Sequence, residues 1–377
     1  MKKPIRVLSI FGTRPEAVKM APVVRALQET AGIESRVCVT AQHREMLDQV
    51  LAQFNIKPHH DLDLMRPDQS LAGLTAEILT HLEPVLAAEH PDWVLVQGDT
   101  TTVMTASLAA FYRGIKVGHV EAGLRTGDKR QPFPEEINRR ITGVIADLHF
   151  SPTEYSRQNL LREGVSDECI KVTGNTVIDA LQQISQFPPP AQVAEWLEDW
   201  SISSGNRRLV LVTAHRRENF GEPIRDICRG LRLLAERYGD SIRILYPVHL
   251  NPNIQEPVYS LLKGVEQVVL TSPVDYLSLV HLMKASTIVL TDSGGIQEEA
   301  TGLGKPTLVL REKTERPEGV EAGVLKLVGS DPRLILDEAS KLLDDEKAYT
   351  AMAHAANPFG DGCAAGRIVR AIVEYSV

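Results

Sequence analysis

Cysteine is scarce: the chain has four, Cys38, Cys169, Cys228 and Cys363, none at metal-ligand spacing from another. That argues against a zinc cluster and suits a reducing compartment, so the cytoplasm is the expected location. Apolar stretches long enough to span a membrane are also missing. The run from Met1 to Phe11 has a basic start, but it passes straight into Gly12-Thr13-Arg14-Pro15-Glu16 without a small-residue cleavage site. It therefore reads as a first β-strand rather than a signal peptide. Positive charge is in deficit, with 41 Lys and Arg against 49 Asp and Glu and a net charge of −8. A nucleic acid or an anionic membrane needs a wide basic surface, so neither is an expected partner. No strand leads into Gly-x-Gly-x-x-Gly, and Gly360-Asp361-Gly362 precedes the last helix with no strand before it. A Walker-type Gly-Lys-Ser/Thr loop is absent too, so neither a redox cofactor nor a metal is expected. Tandem repeats and low-complexity tracts are lacking.

What is present is a long alternation of short apolar runs with amphipathic ones. At 377 residues, 43% hydrophobic and 24% charged, the chain exceeds what one core sustains, and two domains are expected. Strands are expected from residue 5 and at 36–40, 93–97, 116–120 and 148–150, with helices at 15–30, 43–54, 71–89, 101–112 and 135–145. Pro188-Pro189-Pro190 and Ser203-Ser204-Gly205-Asn206 interrupt the rhythm, which resumes with strands at 209–213, 242–246, 267–270, 287–291 and 307–310. The fold class is α/β, with two Rossmann-like parallel-sheet domains facing a central cleft. The boundaries are 1–180 and 181–360, with a last helix within 361–377 crossing back onto the first domain. In such sheets the loops at the C-terminal strand ends carry the ligand.

Asp292-Ser293-Gly294-Gly295-Ile296-Gln297-Glu298-Glu299-Ala300 follows a strand and opens a helix. Glycines let a phosphate reach the backbone, and the N–H groups of a helix start hold it. Glu298 and Glu299 then lie within reach of hydroxyls on the same ligand. The same stretch also suits an ordinary turn with Ser293 as cap. Arg14 and Lys19 sit at the first helix start, either aimed at an anion or solvated. Asp99, after the strand at 93–97, serves as a reactive carboxylate or as a helix cap. Glu121 ends the next strand. Glu135 opens a helix beside Glu136, where acidic residues also stabilise the dipole. Carboxylates gathered at neighbouring strand ends raise one another's pKa, which is costly without a function. In the second half, His215-Arg216-Arg217, His249 and Glu315-Arg316-Pro317-Glu318 follow strands and concentrate positive charge.

These motifs, in this order and over essentially the whole chain, resemble the non-hydrolysing UDP-N-acetylglucosamine 2-epimerases. The resemblance implies a GT-B architecture, a homodimer, and interconversion of UDP-N-acetylglucosamine with UDP-N-acetylmannosamine for bacterial surface polysaccharides. It implies elimination of UDP to 2-acetamidoglucal and re-addition, with UDP held by Ser293, Gly294, Gly295, Arg14 and His215. Asp99, Glu121 and Glu135 supply base and acid, in an order left open, with Lys19 steadying them. Glu299 is implied on the ribose, and Arg316 and Arg139 on the substrate. Some members carry a second, activating UDP-sugar; Gln42, His43 and His249 match that site, while Glu45 and Asp68 bring negative charge to it. A GT-B glycosyltransferase, a hydrolysing epimerase and a non-catalytic UDP-sugar-binding protein are the competing readings. In the transferase the carboxylate set would be surplus.

Overall fold

Strands buried on both faces need continuous apolar runs, and the chain supplies them at regular intervals. The computed structural model describes residues 3–41, 44–64, 66 and 69–376, with the backbone alone for 44–46. The described chain divides into two units, Met1–Ala180 with Phe359–Val377, and Leu181–Pro358.

The first unit runs β1 (Ile5–Phe11), α1 (Arg14–Glu29), β2 (Ile33–Val39), α2 (Arg44–Gln53), β3 (His60–Asp61), α3 (Leu71–Glu89), β4 (Trp93–Gln97), α4 (Thr101–Tyr112), β5 (Lys116–Val120), α5 (Glu135–Ile145), β6 (Leu148–Ser151), α6 (Glu154–Arg162) and β7 (Ile170–Val172). Its seven strands are parallel, in the order β3-β2-β1-β4-β5-β6-β7. The order reverses between β1 and β4, and such a switch point opens a crevice at the C-terminal strand ends. Leu8, Ile10, Val94, Val96 and Val117 pack with Ile78 and Leu82 in its core. Helix α7 (Thr176–Ile184) contains the division between the units.

In the second unit the order is α8 (Ala191–Asp199), β8 (Arg208–Thr213), α9 (Glu222–Tyr238), β9 (Ile242–Pro247), α10 (Pro252–Leu262), β10 (Val268–Thr271), α11 (Tyr276–Ala285), β11 (Ile288–Thr291), α12 (Gly294–Gly302), β12 (Thr307–Val309), α13 (Pro317–Glu321), β13 (Leu325–Leu327), α14 (Pro332–Asp344) and α15 (Glu346–Ala353). Six parallel strands lie in the order β10-β9-β8-β11-β12-β13, again reversing, here between β8 and β11. Val210, Ile244, Leu290 and Leu308 form its core with Ile227, Leu231 and Ile335.

Helix α16 (Ala364–Ser376) belongs to the first unit. Asp179 caps it, accepting from Ala364 N at 3.2 Å and Ala365 N at 2.9 Å, and Trp93 Nε1 donates to Ser376 Oγ at 2.9 Å. Burial raises the pKa of Asp179 against the lowering effect of those N–H donors. Among the described residues no helix is long and apolar enough to cross a membrane.

Candidate active site

In the first unit the turns after β1, β4 and β5 are tied together by carboxylates. Thr13 and Glu16 form a capping box at the start of α1, and the carboxylate of Glu16 accepts from Gly12 N at 2.9 Å and Thr13 N at 2.6 Å. Its other oxygen accepts from Thr100 Oγ1 at 2.6 Å, so Glu16 joins the β1 turn to the β4 turn. Burial raises its pKa against those hydrogen bonds. Thr100, not Asp99, is the N-cap of α4, which removes capping as the reason for Asp99. The Asp99 carboxylate instead meets Arg139, at 2.9 Å from Nε and 2.6 Å from Nη2. Its carbonyl accepts from Asn138 Nδ2 at 2.9 Å.

Glu121 stands immediately after β5 with φ of 65°, a conformation that costs a non-glycine residue energy and concentrates at functional sites. Its carboxylate is buried among donors: Lys19 Nζ, Asn175 Nδ2 at 2.8 Å and Gln97 Nε2 at 2.5 Å. Helix α5 opens with two glutamates of different kinds. Glu136 is fully buried and accepts from Thr126 N, Gly127 N and Arg139 Nη1 at 3.1, 3.2 and 3.2 Å. Glu135 keeps one buried oxygen, Oε2, without a hydrogen-bond partner among the described residues. Arg14 is the half-buried first residue of α1.

The second unit builds its site at its own switch point. Asp292, fully buried after β11, accepts through Oδ2 from His215 N at 2.8 Å, Arg216 N at 2.8 Å and Asn219 Nδ2 at 2.9 Å. It thereby fixes the turn after β8. His215 Nδ1 lies 3.7 Å from Asp292 Oδ1, and its ring stacks on His249 with centroids 5.3 Å apart. Burial holds the His215 imidazole below its ordinary pKa, against the opposing charge of Asp292. At α12, Ser293 occupies the cap position but makes no side-chain cap hydrogen bond; its N–H donates to Thr291 Oγ1 at 3.0 Å. Ser293 is thus the cap residue by position, with its hydroxyl not used to cap the helix. Arg316 donates to Glu298 at 2.7 Å and to Glu315 at 2.9 Å, with both Arg316 and Glu298 buried. A β-carbon on Gly294 would sit 3.1 Å from Arg316 Nη1, so glycine lets the guanidinium reach the helix start. Gly295 follows at the second helical position, and Tyr276 OH lies 3.4 Å from Glu299 Oε1.

Of the expected residues, the structure joins Lys19 to Glu121, Asp99 to Arg139 and His215 to His249, and sets Gly294 against Arg316. Gln42, His43 and Asp68 lie outside the described residues, as does the Glu45 side chain. Gln97, Asn175, Glu16 and Asn138 join the site without standing out in the sequence. Gln97 ends β4 and Asn175 lies just beyond β7, but nothing local in an amide separates a carboxylate partner from an ordinary strand-end or turn residue. Among the described residues no His, Cys, Asp and Glu group is placed to hold a metal ion.

Two Rossmann-like parallel-sheet units with polar clusters at their switch points define a GT-B-like α/β protein. The model of the UDP-N-acetylglucosamine 2-epimerase family matches residues 25–373, and the chain belongs to that family. It is 54% identical to the UDP-N-acetylglucosamine 2-epimerase of Salmonella typhimurium, over 99% of this chain and 100% of that one. The solved structure of a putative UDP-N-acetylglucosamine 2-epimerase from Listeria monocytogenes matches with a TM-score of 0.91 at 49% identity, over 99% of this chain and 97% of that one. The UDP-GlcNAc 2-epimerase of Neisseria meningitidis bound to UDP-GlcNAc matches with a TM-score of 0.87, also at 49% identity, over 98% of this chain and 100% of that one.

Proposed function

We propose that this chain interconverts UDP-N-acetylglucosamine and UDP-N-acetylmannosamine by eliminating UDP to 2-acetamidoglucal and adding it back. Carbon 2 of the sugar carries no acidic proton, so inversion there needs either oxidation of a neighbouring carbon or loss of the group at carbon 1. The observation that carries the elimination reading is the set of carboxylates just after β4 and β5 and at the start of α5. Asp99 is held by Arg139, Glu121 by Lys19, Gln97 and Asn175, and Glu135 keeps a buried oxygen without a partner among the described residues. Removing a proton from one face and returning one to the other takes two such groups, fixed on opposite sides of carbon 2. Departing UDP needs N–H donors and cations, which the α12 start, His215, Arg14 and Arg316 supply. Glu299 receives the ribose, and His249 supports the His215 ring.

The active species is a homodimer in the cytoplasm, and its product feeds bacterial surface polysaccharides. A dimer has support in α5, whose Ile137, Ile141 and Val144 recur at helical spacing on the exposed side, with Val144 88% exposed. The test is incubation with UDP-N-acetylglucosamine and nothing else. UDP-N-acetylmannosamine should accumulate to equilibrium with no free sugar. Stoichiometric UDP with free N-acetylmannosamine would mean a hydrolysing enzyme instead, and an unchanged substrate would mean a transferase or a binding protein.

A further inference from the structure

One buried polar side chain beside the carboxylates has no part in the chemistry above. His119 lies on β5, two residues before Glu121 and 1% exposed. Its Nε2 is 2.7 Å from the carbonyl oxygen of Gly98. A carbonyl only accepts, so Nε2 carries the hydrogen and the ring is the Nε2–H tautomer. Nδ1 is then a bare acceptor, and it is buried with no hydrogen-bond partner among the described residues. As packing alone, this is a poor choice for the middle of a sheet, because an apolar side chain would fill the space without an unsatisfied nitrogen.

The return on that cost is at the other end of the ring. Gly98 begins the turn that carries Asp99, at φ of 83°, and its N–H donates to Val120 O at 3.0 Å. His119 takes the carbonyl of the same residue. The next carbonyl, that of Asp99, is held by Asn138 at 2.9 Å, and Thr100 is held by Glu16 at 2.6 Å. Three consecutive residues are thus pinned from β5, α5 and α1, and His119 supplies the side-chain link from β5. The facing residue on β6 is His149. Burial pushes the pKa of His119 down to about 3 and that of His149 down to about 4, so neither ring gains a proton at neutral pH. The link is permanent, not a switch.

We infer that His119 is a positioning residue for the proposed epimerisation: its Nε2–H fixes the Gly98 carbonyl and so aims the Asp99 carboxylate. The inference rests on the reading of Asp99 as a proton-transfer group.

The two amide replacements for histidine separate this role from packing. The amide nitrogen of glutamine reaches the place of Nε2, whereas that of asparagine stops near Nδ1. His119→Asn should lose about 10²-fold in kcat, the scale of loss for a reacting group misplaced by about an ångström. Its KM and the UDP-induced rise in Tm should stay at wild-type values. His119→Gln should recover at least a tenth of wild-type kcat, and His119→Leu, if it folds, should behave as the asparagine variant. Equal kcat in the glutamine and asparagine variants, whether high or low, would overturn the inference. So would a loss seen in KM and not in kcat. The wild type is assayed alongside: if it does not epimerise, the functional reading fails, whereas an active wild type with equal variants defeats the role of His119 alone.

Discussion

The two switch points use the same kinds of side chain in opposite senses. In the proposed reaction the carboxylates of Asp99 and Glu121 in the first unit are the working ends, and cations hold them: Arg139 grips one and Lys19 the other. In the second unit the carboxylates are the holders. Asp292 fixes the turn bearing His215, while Glu298 and Glu315 anchor Arg316 beside the α12 start. In that reading what is left to meet a ligand is carboxylate-rich in the first unit, with Arg14 as its added cation, and N–H-rich and cationic in the second. The identity of an ion pair does not reveal its function. Burial and the geometry of the backbone around each partner decide which member supports and which acts.

That contrast breaks most sharply at Asp99. Asp99→Asn should lower kcat by roughly 10³-fold, within the range for removing a general acid or base, while UDP still raises Tm as it does for the wild type. A variant that turns over normally would remove Asp99 from the reaction. The matching change in the second unit is Asp292→Ala, which takes the acceptor from two backbone N–H groups and leaves the Asn219 amide only the Leu310 carbonyl. It should cost about 3 kcal/mol of stability and abolish the UDP-induced shift in Tm. Retained UDP binding would show that the turn holds without its anchor. Next in size is Arg139→Met, expected to lower kcat by about 10²-fold with UDP binding intact, because it frees the Asp99 carboxylate without touching the second unit. A loss of UDP affinity instead would make Arg139 a ligand contact.

The remaining effect is on acid stability. An unfolded imidazole takes its proton near pH 6.5, whereas folded His149 and His119 stay neutral down to about pH 4 and about pH 3. The unfolded chain then binds more protons in that window, so stability falls as pH drops below 6.5, by about 1.4 kcal/mol per pH unit for each group. Replacing His149 with Gln should flatten the fall in the urea midpoint between pH 6 and pH 4.5 relative to wild type, and an identical slope would show that His149 is already charged there.

Much of this was legible from residues alone. Strands β4 and β5 and helices α3, α4 and α5 begin and end where the apolar periodicity places them, at Trp93, Lys116, Leu71, Thr101 and Glu135. Shorter edge elements were not. Strand β3 is two residues, and β7 and β13 are three each, too brief for any alternation to register. Strand β2 begins at Ile33 rather than residue 36 because β1 pairs with it from Ile5 and Ile33 onward; β3 pairs only with Cys38 and Val39, so the first half stays polar and shows no apolar run. At the site, Asp99 and Glu121 stand out because charge directly after a buried strand is unusual. Glu16 looks like a cap, and it is one; that its second oxygen reaches Thr100, far along the chain, is a consequence of the β1–β4 pairing and not of any local pattern. His119 reads as one more core residue until its ring nitrogen is seen on the Gly98 carbonyl.

In the proposed reaction the first unit's carboxylates move a proton at carbon 2 while the second unit keeps UDP. This proposal is tested most directly by incubating the wild-type protein with UDP-N-acetylglucosamine alone in deuterated water and recovering the nucleotide sugars. Deuterium at carbon 2 of both the gluco and manno forms is the predicted result. Epimer formed without deuterium, or no exchange at all, would contradict it.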